Sequence, residues 1–242
     1  MRFTSETTAN GVSEHLFTLG DIPGVLWTPS GAAGGCPLVL LAHGGGGHKK
    51  TPGVVARARA YVTECGFAVA AIDAPGHGDR PMTEHDQQAV ADIRRRRDAG
   101  EPFLSAIVRY NAELAVRAVP DWQTTLDALQ DGETDRPVGF WGMSQGSAIG
   151  VPLAAAEPRI TAAVFGLAGR ETLADPAARV TIPLEFWLQW DDELVPRDSG
   201  LALFDAFASR EKTLHAHPGR HAELPVSERE SSQRFLARHL LT

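Results

Sequence analysis

Gly142-Met143-Ser144-Gln145-Gly146 follows the apolar run Val138–Trp141 and opens a helix-compatible stretch that ends near Pro158. A serine on a strand-to-helix turn is held in a strained conformation, its hydroxyl pointing away from the sheet. The glycines two before and two after it remove side chains that would collide where strand and helix approach. The helix N-terminus favours negative charge developing beside Ser144. The bare five-residue string arises often by chance, but its setting between a buried strand and a helix makes Ser144 a candidate nucleophile. The bland alternative, a helix N-cap, leaves the flanking glycines unexplained.

Working outward, short apolar runs alternate with helical patterns. Val12–Gly20 and Ile22–Thr28 read as an opening antiparallel pair. Leu38–Ala42, Phe67–Ile72, Val138–Trp141, Ile160–Leu167, Ile182–Leu188 and Lys212–His217 are continuous apolar runs, as expected of strands buried on both faces. Helical spacing fills most gaps, for instance Val54–Cys65, Trp122–Leu129 and Ser144–Ala156. This alternation predicts a mostly parallel sheet covered by helices, in one α/β domain over residues 1–242. Between Asp73 and Val138 lies more chain than one crossover helix needs. Thr83–Asp98 reads as a helix capped by Thr83, and helical spacing resumes from Leu104 until Pro120, after which Asp121 caps the next helix. Residues 81–119 are therefore expected to form a cap-like helical insertion over the sheet edge, with Leu104, Ile107 and Val108 facing a substrate. The final helix carries the capping-box pattern Ser227 and Glu230.

A serine hydroxyl is a poor nucleophile at neutral pH, so a base and an orienting acid must follow, in the order serine, acid, histidine. Past the strand Ile182–Leu188 come Trp190-Asp191-Asp192-Glu193-Leu194-Val195-Pro196, and past Lys212–His217 come Pro218-Gly219-Arg220-His221. Both segments lie at strand C-termini, on the same sheet edge as Ser144. His221, in a loop, is better placed as a base than His217 at the strand end, and His215 reads as structural. His43-Gly44-Gly45-Gly46-Gly47 follows the strand Leu38–Ala42, where an oxyanion donor belongs. The expected donors are the Gln145 and Gly45 N–H groups, with Gly44 and Gly46 as alternates near the substrate. Donors of this kind are worth about 3–4 kcal/mol each on a transition state.

Together, His43–Gly47, Asp73-Ala74-Pro75-Gly76-His77-Gly78, Gly142–Gly146, Asp192–Pro196 and Gly219-Arg220-His221 resemble the α/β-hydrolase superfamily, within it the dienelactone-hydrolase-like serine esterases. The resemblance implies an eight-stranded, mostly parallel sheet with helices on both faces. It also implies ester hydrolysis through an acyl-enzyme with no metal or organic cofactor. It favours Asp192 over Asp191 as the acid, because in the family the acid precedes two residues and then Val-Pro. Dienelactone hydrolases proper carry a cysteine nucleophile where this chain has Ser144, and the 81–119 insertion is longer than in the most compact members.

The remaining composition narrows the classes. Of 242 residues, 43% are hydrophobic and 22% charged, with a net charge of −7. An acidic chain of this kind is not expected to bind nucleic acid or an anionic membrane. No apolar stretch approaches the roughly 20 residues of a membrane span, and the N-terminus has no signal-peptide pattern, so a cytoplasmic enzyme is expected. Arg94–Arg97 reads as a solvated helix face paired with Asp92, Asp98 and Glu101. His43 is expected to orient the glycine loop. His48, Lys49 and Lys50 read as a solvated helix start, and Trp190 as a wall of the acyl site. The spacing of His215, His217 and His221 brings no partner carboxylate motif, so no metal is expected. The expected substrate is a small or medium ester; a thioester, lactone or acyl-peptide bond would suit the same triad, and a non-catalytic ligand-binding protein is the reading from another class.

Overall fold

The structure is a computed structural model that describes residues 1–32, 34–130 and 136–241. Its strands are β1 (Arg2–Ala9), β2 (Val12–Leu19), β3 (Ile22–Pro29), β4 (Leu38–Ala42), β5 (Ala68–Ile72), β6 (Val138–Gly142), β7 (Ile160–Gly166), β8 (Leu184–Gln189) and β9 (Lys212–His217). Among the described residues these nine form a single sheet in the order β1-β2-β3-β5-β4-β6-β7-β8-β9. β1, β2 and β3 run antiparallel to their neighbours, and from β5 to β9 every pair is parallel. The helices are α1 (Pro52–Cys65), α2 (Glu84–Asp98), α3 (Leu104–Leu129), α4 (Gln145–Ala156), α5 (Ala174–Ala177), α6 (Arg197–Ala206) and α7 (Ser227–Leu240).

Period-2 alternation explains the apolar runs. Along β4, Leu38, Leu40 and Ala42 enter one core with Tyr110, Leu114 and Trp122 of α3, Ile149 of α4 and Leu203 of α6. Val39 and Leu41 enter the opposite core with Tyr61 of α1 and Leu236 and Leu240 of α7. Strands buried on both faces need apolar residues at every position. The chain leaves β4 towards β5 and leaves β6 towards β7, so the connections diverge between the adjacent strands β4 and β6. In an open α/β sheet that point of divergence is where the crevice at the strand C-termini lies.

Three sequence expectations need correction. The sheet has nine strands, not eight: β1 pairs with β2 on the edge, and all eight of its residues are exposed, so no apolar face announces it. Pro120 does not end a helix, and Asp121 caps nothing. α3 continues through both to Leu129, because Ala106, Tyr110, Leu114, Ala118, Trp122 and Leu126 give it one unbroken buried face. That packing outweighs the roughly 3 kcal/mol cost of an interior proline. The carbonyl that Pro120 cannot bond belongs to Val116, on the solvent side of the helix. Finally, Ser227 lies inside α7, whose first turn is closed by backbone bonds from Glu228 N–H to Pro225 and from Arg229 N–H to Val226. Among the described residues no side chain caps it.

Residues 81–119 comprise α2 and most of α3. Thr83 caps α2 as expected, in a reciprocal box with Asp86. The buried Asp86 carboxylate accepts from the Arg117 guanidinium at 2.5 and 3.1 Å, pinning α2 to α3. Burial opposes its ionisation, but the bonds from Arg117 and Thr83 win and hold its pKa at about 2. Arg95, Arg96 and Arg97 pair with Asp92, Asp98 and Glu101 on the exposed face.

Candidate active site

Ser144 sits between β6 and α4 with φ +56°, a conformation that non-glycine residues rarely hold. The reason for the two glycines is steric. A Cβ on Gly142 would lie 2.8 Å from the backbone of Gly146, and one on Gly146 would lie 3.1 Å from the Ala42 carbonyl of β4. The turn is braced from behind: Ser144 N–H donates to the Gly166 carbonyl at 2.9 Å. The Ser147 hydroxyl donates to the Gly142 carbonyl at 2.7 Å and accepts from the Gly166 N–H at 2.8 Å. Ser147, fully buried, escaped the sequence reading. Its only signal is a second polar residue, two positions after Gln145, in an otherwise apolar helix start.

His221 Nε2 is 2.9 Å from Ser144 Oγ, and His221 Nδ1 is 2.8 and 3.0 Å from the two Asp192 oxygens. Asp192 Oδ1 accepts the Leu194 and Val195 N–H groups at 2.8 and 2.9 Å, so the Val-Pro turn fixes the carboxylate. The neighbouring carboxylates face elsewhere. Asp191 is exposed and accepts from Gly219 N–H at 3.1 Å. Glu193 is exposed too, yet its carboxylate accepts the His221 backbone N–H at 3.0 Å, a contact the sequence does not suggest. That bond holds the Glu193 carboxyl below its ordinary range. His217 does not approach Ser144; its Nε2 meets Glu228 at 2.6 Å.

The glycine loop runs beside the serine. A Cβ on Gly45 would meet the Gln145 side chain at 3.5 Å, and one on Gly44 would meet the Met143 carbonyl at 3.8 Å. His43 holds this loop. Its Nε2 accepts from Ala74 N–H at 3.1 Å, so Nδ1 carries the hydrogen and donates to the Gly44 carbonyl at 2.9 Å. Burial keeps the ring neutral, pushing its pKa down to about 4. The Gln145 amide donates to His77 Nε2 at 3.2 Å, while His77 Nδ1–H donates to the Pro75 carbonyl. His77 thus orients the residue after the serine, a role the sequence does not suggest.

Lys49 departs from expectation. It is buried, not solvated, and its ammonium donates to Asp73 and Asp79 at 2.6 Å each. Burial works against its charge, but these two carboxylates outweigh that and raise its pKa. Asp73 also accepts the Lys49 and Asp79 backbone N–H groups, tying the loops after β4 and β5 together.

Beside Ser144 lies a narrow cavity of about 60 Å³. Leu104, Ile107, Val108 and Asn111, one face of α3, form one wall; Leu167, Ala168, Gly169, Glu171, Thr172, Leu173, Leu194 and Val195 contribute others. Trp190 does not line it. Its ring packs under the Arg197 guanidinium, 4.7 Å away, and against the core. Gly44 and Gly46 do not line it either; Gly46 is exposed on the loop.

No protein-family model matches the chain, and no curated protein does. Solved structures do. An esterase described as novel and cold-adapted, from an Arctic intertidal metagenomic library and solved as a PEG-bound complex, is 33% identical over 99% of this chain and 100% of its own, with a TM-score of 0.79. The zinc-bound structure under the same description aligns at 31% identity over the same shares, with a TM-score of 0.74. Est1E from Butyrivibrio proteoclasticus, solved with ferulic acid, shares the fold at 16% identity over 99% of this chain and 100% of its own (TM-score 0.70). A mostly parallel sheet with helices on both faces and a third of its residues shared with an esterase along the full length lead to one conclusion: the chain belongs to the α/β-hydrolase-fold esterases, enzymes of the carboxylesterase type.

Proposed function

We propose that the chain hydrolyses small carboxylic esters through an acyl-enzyme formed on Ser144. The observation that carries this reading is the unbroken line Asp192–His221–Ser144, each contact at 2.8–3.0 Å, ending on a serine with positive φ. His221 takes the Ser144 proton as Oγ attacks the ester carbonyl. Asp192 holds the Nδ1–H tautomer and stabilises the imidazolium. The Gln145 and Gly45 N–H groups receive the oxyanion, with the α4 N-terminus adding its dipole. His221 then protonates the departing alcohol, and water repeats the sequence on the acyl-enzyme.

The small cavity against Leu104, Ile107 and Val108 supports a short acyl group, while the exposed glycine loop leaves room for a larger alcohol. The test is direct. A fluorophosphonate should label the folded protein at Ser144, and Ser144→Ala should lose both the adduct and p-nitrophenyl acetate turnover with its thermal unfolding nearly unchanged. Retention of activity within about tenfold would move the nucleophile elsewhere, since losing a triad member costs several powers of ten.

A further inference from the structure

His215 and His217 lie two residues apart on β9, so both side chains leave the same face of the sheet. That face is covered by α7, whose first turn carries Glu228. The Glu228 carboxylate, with side-chain exposure of only 6%, is bracketed by the two rings: Oε2 lies 2.9 Å from His215 Nδ1 and Oε1 lies 2.6 Å from His217 Nε2. One ligand atom from each of the three residues falls within 4.8 Å of the others. In sequence the histidines have no carboxylate beside them; the fold brings one from the next helix.

Two imidazole nitrogens and one carboxylate oxygen are a zinc donor set with a position left for water. Tetrahedral bonds of about 2.0–2.1 Å put neighbouring ligand atoms roughly 3.3 Å apart. The two imidazole–carboxylate contacts are shorter than that value and the three atoms lie within 4.8 Å of one another, so small side-chain adjustments would bring the set to it. An outer partner also stands ready. Glu185 Oε2 is 3.7 Å from His215 Nε2, and Glu185 is itself fixed by Trp187 Nε1–H at 2.6 Å and the Ser231 hydroxyl at 3.1 Å. His215 Nδ1 is the nitrogen in hydrogen-bond contact with Glu228; a shift of the proton to Nε2, on the Glu185 side, would leave Nδ1 bare for a metal. A buried carboxylate that orients a ligating imidazole is the usual companion of such sites. Both rings remain about a quarter exposed, which leaves an entry path.

We propose that His215, His217 and Glu228 bind a divalent transition-metal ion, zinc foremost, at a site distinct from Ser144. β9 and α7 are the two ends of the loop that carries His221. An ion joining them staples that loop at its base, so its effect is on stability and not on the chemical step.

The test uses the full chain, stripped with a chelator and titrated with zinc chloride against a chromogenic competitor. One equivalent should bind, with a melting temperature raised by several degrees, and cobalt(II) should give the visible absorption of a low-coordinate site. His217→Gln, whose side chain is partly exposed, and Glu228→Gln should each abolish both effects, and Glu185→Gln should weaken zinc by about 10–100-fold. His221→Gln should bind zinc as the parent does. Zinc affinity unchanged in His217→Gln, affinity lost in His221→Gln, or no binding against the competitor would each overturn the proposal. Should Glu228→Gln fail to fold, His217→Gln and the cobalt spectrum decide.

Discussion

Asp191 and Asp192 are adjacent carboxylates with separate duties. Asp192 accepts from Leu194 and Val195 N–H while facing His221, whereas Asp191 only ties down Gly219. Asp192→Asn should therefore lower kcat by on the order of 10³–10⁴, because the amide favours the wrong imidazole tautomer. Asp191→Asn keeps an oxygen for Gly219 N–H and should change kcat by about twofold at most. Steady-state kinetics on one p-nitrophenyl ester measures both, and the reverse ranking would move the acid by one residue. His43 gives a second residue-level expectation. Folded, it holds a pKa of about 4; unfolded, it returns to its ordinary 6.5. Below pH 6.5 the unfolded chain takes up a proton that the folded one refuses, so stability is full above 6.5 and is lost progressively down to pH 4. At about 1.4 kcal/mol per pH unit the loss attributable to this ring is on the order of 3 kcal/mol. His43→Gln can keep both loop bonds without titrating. Urea unfolding at several pH values should show a shallower acid decline in that variant than in the parent. Equal slopes would mean that the ring charges in place.

At the scale of elements, α3 couples the core to the cavity beside Ser144. Its buried face runs from Ala106 to Leu126, while Leu104, Ile107, Val108 and Asn111 reach past the sheet to the space beside Ser144. The periodic residues of this helix were readable; its continuity was not. Pro120 is a strong local stop signal, and only the packed face on either side overrides it. β1 was hidden for the opposite reason: an edge strand with both faces in solvent leaves no hydrophobic pattern. The chemistry-bearing strands were readable because β4, β6 and β8 are buried on both faces and each of them, like β9, ends in a loop of distinctive residues. Contacts such as Glu193 to the His221 backbone, His77 to Gln145 and Glu228 to His217 join segments that no local pattern relates. From this geometry, Leu104→Ala and Ile107→Ala should each move preference towards longer acyl chains. The expected change is about tenfold or more in the octanoate-to-acetate ratio of kcat/KM, since each buried methylene is worth 1–3 kcal/mol. Val116→Ala, on the exposed side of the same helix, should leave that ratio alone. An unaltered ratio in the first two variants would make the α3 wall a packing surface only.

Across the whole molecule, the candidate triad draws on parts of very different depth. Ser144 stands at the centre of the sheet, between β6 and α4, where nearly every residue is buried. His221 hangs from β9, the terminal strand of the sheet, which has no fully buried residue among its six. Among the described residues only β8 pairs with it, and the hydrogen bonds that fix the His221 loop (to Asp191, Asp192 and Glu193) are largely exposed. Segments with few buried contacts and solvent-facing bonds open at lower free energy than the core they flank. On the proposed mechanism catalysis needs all three groups, so it should fail when the β9 edge opens, before β4–β8 lose their packing. With rising urea, esterase activity and fluorophosphonate labelling should fall together at a lower midpoint than the far-UV circular dichroism. Refolding by dilution should restore them together. Trp187 and Trp141 lie against each other under Arg57 of α1, so tryptophan fluorescence should follow the core transition and not the loss of activity. Coincident midpoints for activity, fluorescence and ellipticity would instead mean that the edge and the centre unfold as one unit.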